Sequence, residues 1–262
     1  MRIIVLMKEV PDTWGNRTLN LETGLLDRAG SELVLDEINE RALEVALTHS
    51  DSSKDAEVVL LAVGPATVPA SLRKGLAMGA DRAVHVCDDA LLGADMTLTA
   101  EVLAAAIRHI GFDLVIAGNI STDGGGGALP SMIAELLGVA GVTSLSSVEI
   151  TDAGVAGRRT IESGTFEVQA ALPALISITE ALPDARFSNF KGIMAAKKKP
   201  FDTLSLADLG LAADESANRS IVLSVAERPA RAAGIKIEDA GDAGQQIADF
   251  LTQNQLIKGR AE

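Results

Sequence analysis

Ser121, Thr122 and Asp123 stand directly before four consecutive glycines in the stretch Gly118-Asn119-Ile120-Ser121-Thr122-Asp123-Gly124-Gly125-Gly126-Gly127. Two hydroxyls, a carboxylate and a run without side chains suit the non-covalent holding of an anion rather than bond making. Glycine reaches backbone angles other residues avoid and lets a ligand approach the main chain, and a helix N-terminus offers unpaired N–H groups. A phosphate is therefore the first expectation, with Asp123 as a helix-capping carboxylate. The stretch is not a P-loop, because no Gly-Lys-Ser/Thr follows, nor a G-x-G-x-x-G fingerprint after the first strand. A plain flexible connection also accounts for the glycines.

Other residues that could do chemistry do not assemble into a catalytic pattern. His49 and His109 fall late in predicted helices and His85 within a predicted strand, with no metal-ligand or triad spacing around them. The pairs Asp88-Asp89 and Asp36-Glu37 fall at element edges, where solvation or helix capping explains them. Cys87 is the single cysteine, so no intrachain disulfide forms, which suits a reducing cytoplasm. Lys197-Lys198-Lys199 interrupts an acidic background behind Ile193-Met194, Phe187 and Phe190. That island reads equally as a solvated loop or as a recognition loop with apolar anchors.

The elements that must position the glycine stretch alternate in type. RIIVLM, AEVVLLAVG, DRAVHVC and FDLVIAG read as strands, and DEINERALEVALTHS, ATVPASLRKGLAMG, MTLTAEVLAAAIRHIG and ALPSMIAELLG as helices. Such alternation predicts a Rossmann-like α/β fold with a parallel sheet and flanking helices. The helix from Asp36 carries an apolar stripe of Ile38, Ala42, Val45 and Ala46, with Glu37, Glu40, Arg41 and Glu44 expected to face water. The glycine stretch falls at the carboxyl end of a strand, where open α/β sheets bind ligands, and MKEVPD and VGPAT offer matching turns. Beyond Leu145 the pattern shifts to period two, predicting additional, partly antiparallel strands. Residues 183–203 read as an exposed excursion. The segment after Arg228 is polar and weakly periodic until QQIADFLTQNQL, which predicts an extended C-terminal arm lying on a partner. The expected division is 1–227 for the nucleotide-binding α/β domain and 228–262 for the arm.

Composition removes several functions. With 23 Lys and Arg against 36 Asp and Glu, the 262-residue chain carries a formal charge of −13, which repels nucleic acid and anionic membrane. Aromatics are only 3% and tyrosine is absent, so a base-stacking platform is not expected. No apolar run approaches the roughly 20 residues of a membrane span, and the opening lacks a signal-peptide cleavage pattern.

Taken in order, VLMKEVPDT, LVLDEINERALEVAL, AVGPAT, KGLAMGADRAVHV, AGNISTDGGGG, LPALISITEALPDARFSNFKGIMAAKKKP and RAAGIKIE resemble the β subunit of electron transfer flavoprotein over nearly the whole chain. The block from Arg159 through the lysines carries the most specific part of the likeness. The resemblance implies a heterodimer in which an α subunit holds redox-active FAD while this chain holds a buried AMP. It implies electron carriage from flavin dehydrogenases, such as acyl-CoA dehydrogenases, to a membrane quinone oxidoreductase, with no bond-making site of its own. By position, the AMP site falls to Leu6, to Leu33, Val34, Leu35 and Asp36, to Val63, and to Gly118 through Ala128 and Leu129. Thr13 and Leu35 stand where several members place aromatics near the flavin, and Thr160 where a glutamate is common. Phe190 takes the place of an apolar anchor for the dehydrogenase, accompanied by Ile193, Met194, Lys197 and Lys198. Two alternatives stay open: a bifurcating complex with FAD in place of AMP, and an adenine-nucleotide-binding stress or signalling protein.

Overall fold

A computed structural model describes the chain except residues 54, 213–217, 232, 235, 237 and 258–262. In chain order the first half comprises β1 (Arg2–Leu6), β2 (Glu9–Pro11), β3 (Leu33–Leu35), α1 (Glu37–Ser52), β4 (Glu57–Val63), α2 (Val68–Met78), β5 (Arg82–Val86), α3 (Met96–Ile110), β6 (Leu114–Gly118) and α4 (Leu129–Leu137). The second half comprises β7 (Ala140–Leu145), β8 (Ser147–Ile150), β9 (Gly154–Ile161), β10 (Gly164–Ala171), β11 (Ala174–Ile178), α5 (Phe190–Ala196), β12 (Phe201–Leu204) and α6 (Ala243–Gln253).

Seven strands form one sheet in the order β12-β5-β4-β1-β6-β11-β7, every pairing parallel. Helices cover both faces, so the strands are apolar without alternation, as Val58 to Ala62 of β4 shows. Ile3 and Val5 of β1 join the α1 and α2 side chains in one core layer, and Ile4 and Leu6 join those of α3 and α4 in the other. The predicted Rossmann-like α/β fold is thus present, with β8 to β10 as an antiparallel three-stranded sheet and β2 with β3 as an antiparallel pair. The chain leaves β1 for β4 and β5 on one side and then returns to β6 on the other. Loops following β1 and β6 therefore diverge, which opens the crevice where such sheets take ligands.

Three expectations change. Residues 183–203 are not an exposed excursion throughout, because α5 packs on α2 and β12 completes the sheet beside β5. Lys199 is not a solvated charge: its ammonium donates to the carbonyls of Leu76, Gly79 and Ala80 and so closes the C-terminal end of α2. Burial pushes that ammonium below the usual lysine range. Arg41 and Glu44, expected to face water, instead hold the start of this segment. Arg41 donates to Leu182 O, and Glu44 accepts from the backbone and guanidinium of Arg186.

The chain divides into two units, Met1–Val225 and Ala226–Glu262. The second contains α6, on which Ile247 and Phe250 are exposed. Among the described residues, no helix is long and apolar enough to cross a membrane.

Candidate functional site

Asp36 ends the loop from β3 and precedes α1, the position for a capping side chain. Its carboxyl makes no cap. It is completely buried and accepts the N–H of Thr122 at 2.9 Å, reaching across 86 residues to the loop after β6. For Asp36 the expected capping or solvation is therefore replaced by a tertiary tie, while Glu37 stays exposed in the first turn of α1. Burial raises the Asp36 pKa, opposed by the Thr122 hydrogen bond. Its Oδ1 has no partner, nor does Oδ1 of the buried Asn39 one turn along α1. Buried acceptors without donors are costly and call for one.

Asp123 also departs from its expected role. It does not cap α4, whose N-terminal residue Ala128 offers no side-chain bond and whose first turn contains Pro130. Instead, Lys8, two residues beyond the end of β1, donates to Asp123 Oδ1 at 2.6 Å and to Ser121 Oγ at 3.3 Å. Burial alone would raise the Asp123 pKa, but the Lys8 ammonium holds it below the usual carboxylate range. Arg17 bridges Pro11 O and the Thr122 carbonyl and hydroxyl, while Arg28 donates to Glu9 O at 3.0 Å. The Glu9 carboxylate is buried and accepts from Thr67 Oγ at 2.5 Å and Ser71 Oγ at 2.6 Å, tying the start of β2 to the start of α2.

The glycines themselves remain open. Gly124 N–H turns back to Asp123 and Gly125 N–H to Ser121 O. Among the described residues, the N–H groups of Gly126, Gly127 and Ala128 have no hydrogen-bond partner. Gly125 and Gly127 hold φ of +64° and +66°, which glycine adopts without strain. A Cβ on Gly118 would lie 2.6 Å from Ile38 Cγ2, so this glycine serves close packing of α1 on β6. The arrangement offers unpaired amides, an uncapped helix start and one lysine, which is the chemistry of anion holding.

Predicted site residues fall into two places. Leu6 ends β1, Val63 ends β4, Leu33 to Leu35 form β3 against β2, and Gly118 through Leu129 joins β6 to α4; Asp36 ties β3 to that last loop. Thr13 and the exposed Trp14 lie in the loop after β2. Phe190, Ile193, Met194, Lys197 and Lys198 belong instead to α5 and its end, where the three apolar side chains are exposed together with Phe187. Sequence reasoning missed Lys8, Glu9, Arg17 and Arg28. Lys8 had a signal, a lone cation at the carboxyl end of a strand; the arginines act across more than 90 residues and had none. Among the described residues, no group of three His, Cys, Asp or Glu side chains could hold a metal ion.

Residues 23–209 match the electron transfer flavoprotein domain family. This chain belongs to the electron transfer flavoprotein β-subunit family. It is 45% identical over 263 aligned positions to the electron transfer flavoprotein subunit beta of Mycobacterium tuberculosis, covering 97% of this chain and 99% of that one. It is 34% identical to the protein of that name from Syntrophomonas wolfei, with 98% of each chain covered. Subunit CarD of the caffeyl-CoA reductase-Etf complex of Acetobacterium woodii is 35% identical over 212 positions, 80% of each chain. Membership gives the chain an electron-transfer role and an α subunit as partner, and sets aside the stress or signalling alternative.

Proposed function

We propose that this chain is the β subunit of a heterodimeric cytoplasmic carrier that takes electrons from flavin dehydrogenases, including acyl-CoA dehydrogenases of fatty acid oxidation, and delivers them to a membrane quinone oxidoreductase. Its own contribution is to bind and position. It holds AMP in the crevice between β1 and β6 and supplies, with Thr13 and Leu35, one wall around the FAD of the α subunit. That FAD supplies the capacity to accept and release electrons.

The observation that carries the nucleotide reading is the run of unpartnered N–H groups from Gly126 to Ala128 at the uncapped start of α4. Asp36 Oδ1 and Asn39 Oδ1 add buried acceptors that lack donors, and a nucleotide brings hydroxyl and amino donors along with its phosphate. Lys8 places a positive charge beside Gly124. A second reading, a bifurcating subunit with FAD in the same crevice, is favoured by the likeness to CarD of the caffeyl-CoA reductase-Etf complex. Denaturing the purified heterodimer and quantifying released nucleotides separates the two. One FAD with one AMP is expected; two FAD without AMP establishes the second reading.

A further inference from the structure

We infer that Asp123 sets the phosphate preference of the crevice, favouring a nucleoside monophosphate over di- and triphosphates. The inference rests on the nucleotide reading above and concerns how the surrounding charges are already committed.

Lys8 is the cation nearest the glycine run: a Cβ on Gly124 would lie 3.8 Å from its Nζ. Its ammonium has three hydrogens. Asp123 and Ser121 take two, which leaves one for a ligand oxygen. Arg28 reaches the other Asp123 oxygen at 3.9 Å and gives Nη1 to the Glu9 carbonyl. Arg17 directs its guanidinium to Pro11 and Thr122. The neighbouring carboxyls balance these cations: Asp36 lies under Thr122, and Glu9 is held by Thr67 and Ser71.

One phosphate therefore meets main-chain amides and a single lysine hydrogen. Among the described residues, a second finds Lys8, Arg17 and Arg28 already engaged and meets the Asp123 carboxylate, whose side chain is 5% exposed and fixed in place by Lys8. Because that carboxylate is kept ionised by Lys8, it repels each added phosphate charge. Replacing Asp123 by Asn keeps an acceptor for Lys8 and for Gly124 N–H while removing the charge. At distances within the loop, a unit like charge in a partly wet site changes relative affinity by about five- to tenfold.

The test is competition during reconstitution. The full-length chain and its α partner are denatured, freed of nucleotide, and refolded with FAD and equal AMP and ADP; bound nucleotides are then quantified. Wild type is expected to take AMP over ADP by about five- to tenfold. Asp123→Asn should shift the AMP-to-ADP ratio about five- to tenfold toward ADP, and Lys8→Gln should weaken both nucleotides and move the ratio the opposite way. The second variant keeps the test decisive if the first does not refold. An unchanged ratio in the refolded Asp123→Asn heterodimer, or in Lys8→Gln if the first variant does not refold, overturns the inference while leaving the nucleotide reading intact. Failure of wild type to take AMP or ADP overturns both.

Discussion

The crevice between β1 and β6 and the surface of α5 handle polar and apolar groups in opposite ways. Around the crevice, charged side chains are turned inward and given polar partners: Lys8 has Asp123, Asp36 the Thr122 N–H, and Glu9 the hydroxyls of Thr67 and Ser71. What is left open there is backbone. On α5, the backbone is pinned while the side chains are left open. Asn189 caps the helix through Gly192 N–H, Gly192 lies against the Ala77 carbonyl, and Arg73 donates to Ala196 O and stacks 4.8 Å from the Phe201 ring. Phe187 and Phe190 then stand 97% and 78% exposed. An amide-lined crevice suits a small anion, and a rigid helix with exposed aromatics suits a protein surface, since preorganised apolar anchors dominate interface energetics.

The largest effect should come from the exposed side chains. Phe190→Ala is expected to cost about 2–4 kcal/mol in dehydrogenase binding while leaving nucleotide content unchanged. Steady-state assays with varied carrier concentration would register it as a raised apparent KM, and unchanged kinetics with every dehydrogenase tried would remove Phe190 from the anchor role. Next is the pinned backbone. A Cβ on Gly192 would fall 2.3 Å from Ala77 O, a contact that can be relieved only by moving α5. Gly192→Ala should lower stability by about 2 kcal/mol; thermal unfolding checks it, and a wild-type midpoint would refute the close packing.

The C-terminal arm should contribute less. Ending the chain at Glu227 removes the exposed apolar residues of α6, and the affinity for the α subunit should fall about tenfold, near 1.4 kcal/mol. Sedimentation at low micromolar concentration would detect this, and wild-type association would exclude the arm from the interface.

These two regions were not equally legible in the sequence. Strand and helix order could be read because parallel strands and their crossover helices have distinct apolar periods, and the glycine run fell at a strand end as expected. The role of Asp36 could not, since its position before α1 looks like a cap and its real partner is 86 residues away. Asp123 misled for the same reason, because its partner Lys8 lies 115 residues away, between β1 and β2. Lys199 read as part of either a solvated loop or a recognition loop, and only the approach of α2 makes it a structural cap.

The smallest effect follows from Asp36. Its folded pKa is raised above the ordinary value of 3.8, so the stability linked to its protonated form is present below that value and lost as pH rises through the folded pKa. Asp36→Asn keeps a neutral side chain throughout. In nucleotide-free protein its advantage over wild type should therefore be near zero below the ordinary carboxylate value and grow as pH rises toward neutral. Comparing unfolding midpoints of the two across that range tests the sign, and a difference independent of pH contradicts it.

The most direct test of the anion-holding loop is the nucleotide content of the Gly125→Val heterodimer beside wild type. Gly125 has no atom within 4 Å of a built Cβ, so valine meets no clash, yet φ of +64° is one a β-branched residue strongly disfavours. The loop must shift its amides while the core stays intact. Full FAD with markedly reduced AMP is predicted; full AMP occupancy in the variant would contradict a backbone cradle at Gly126 to Ala128, held in place by the turn at Gly125.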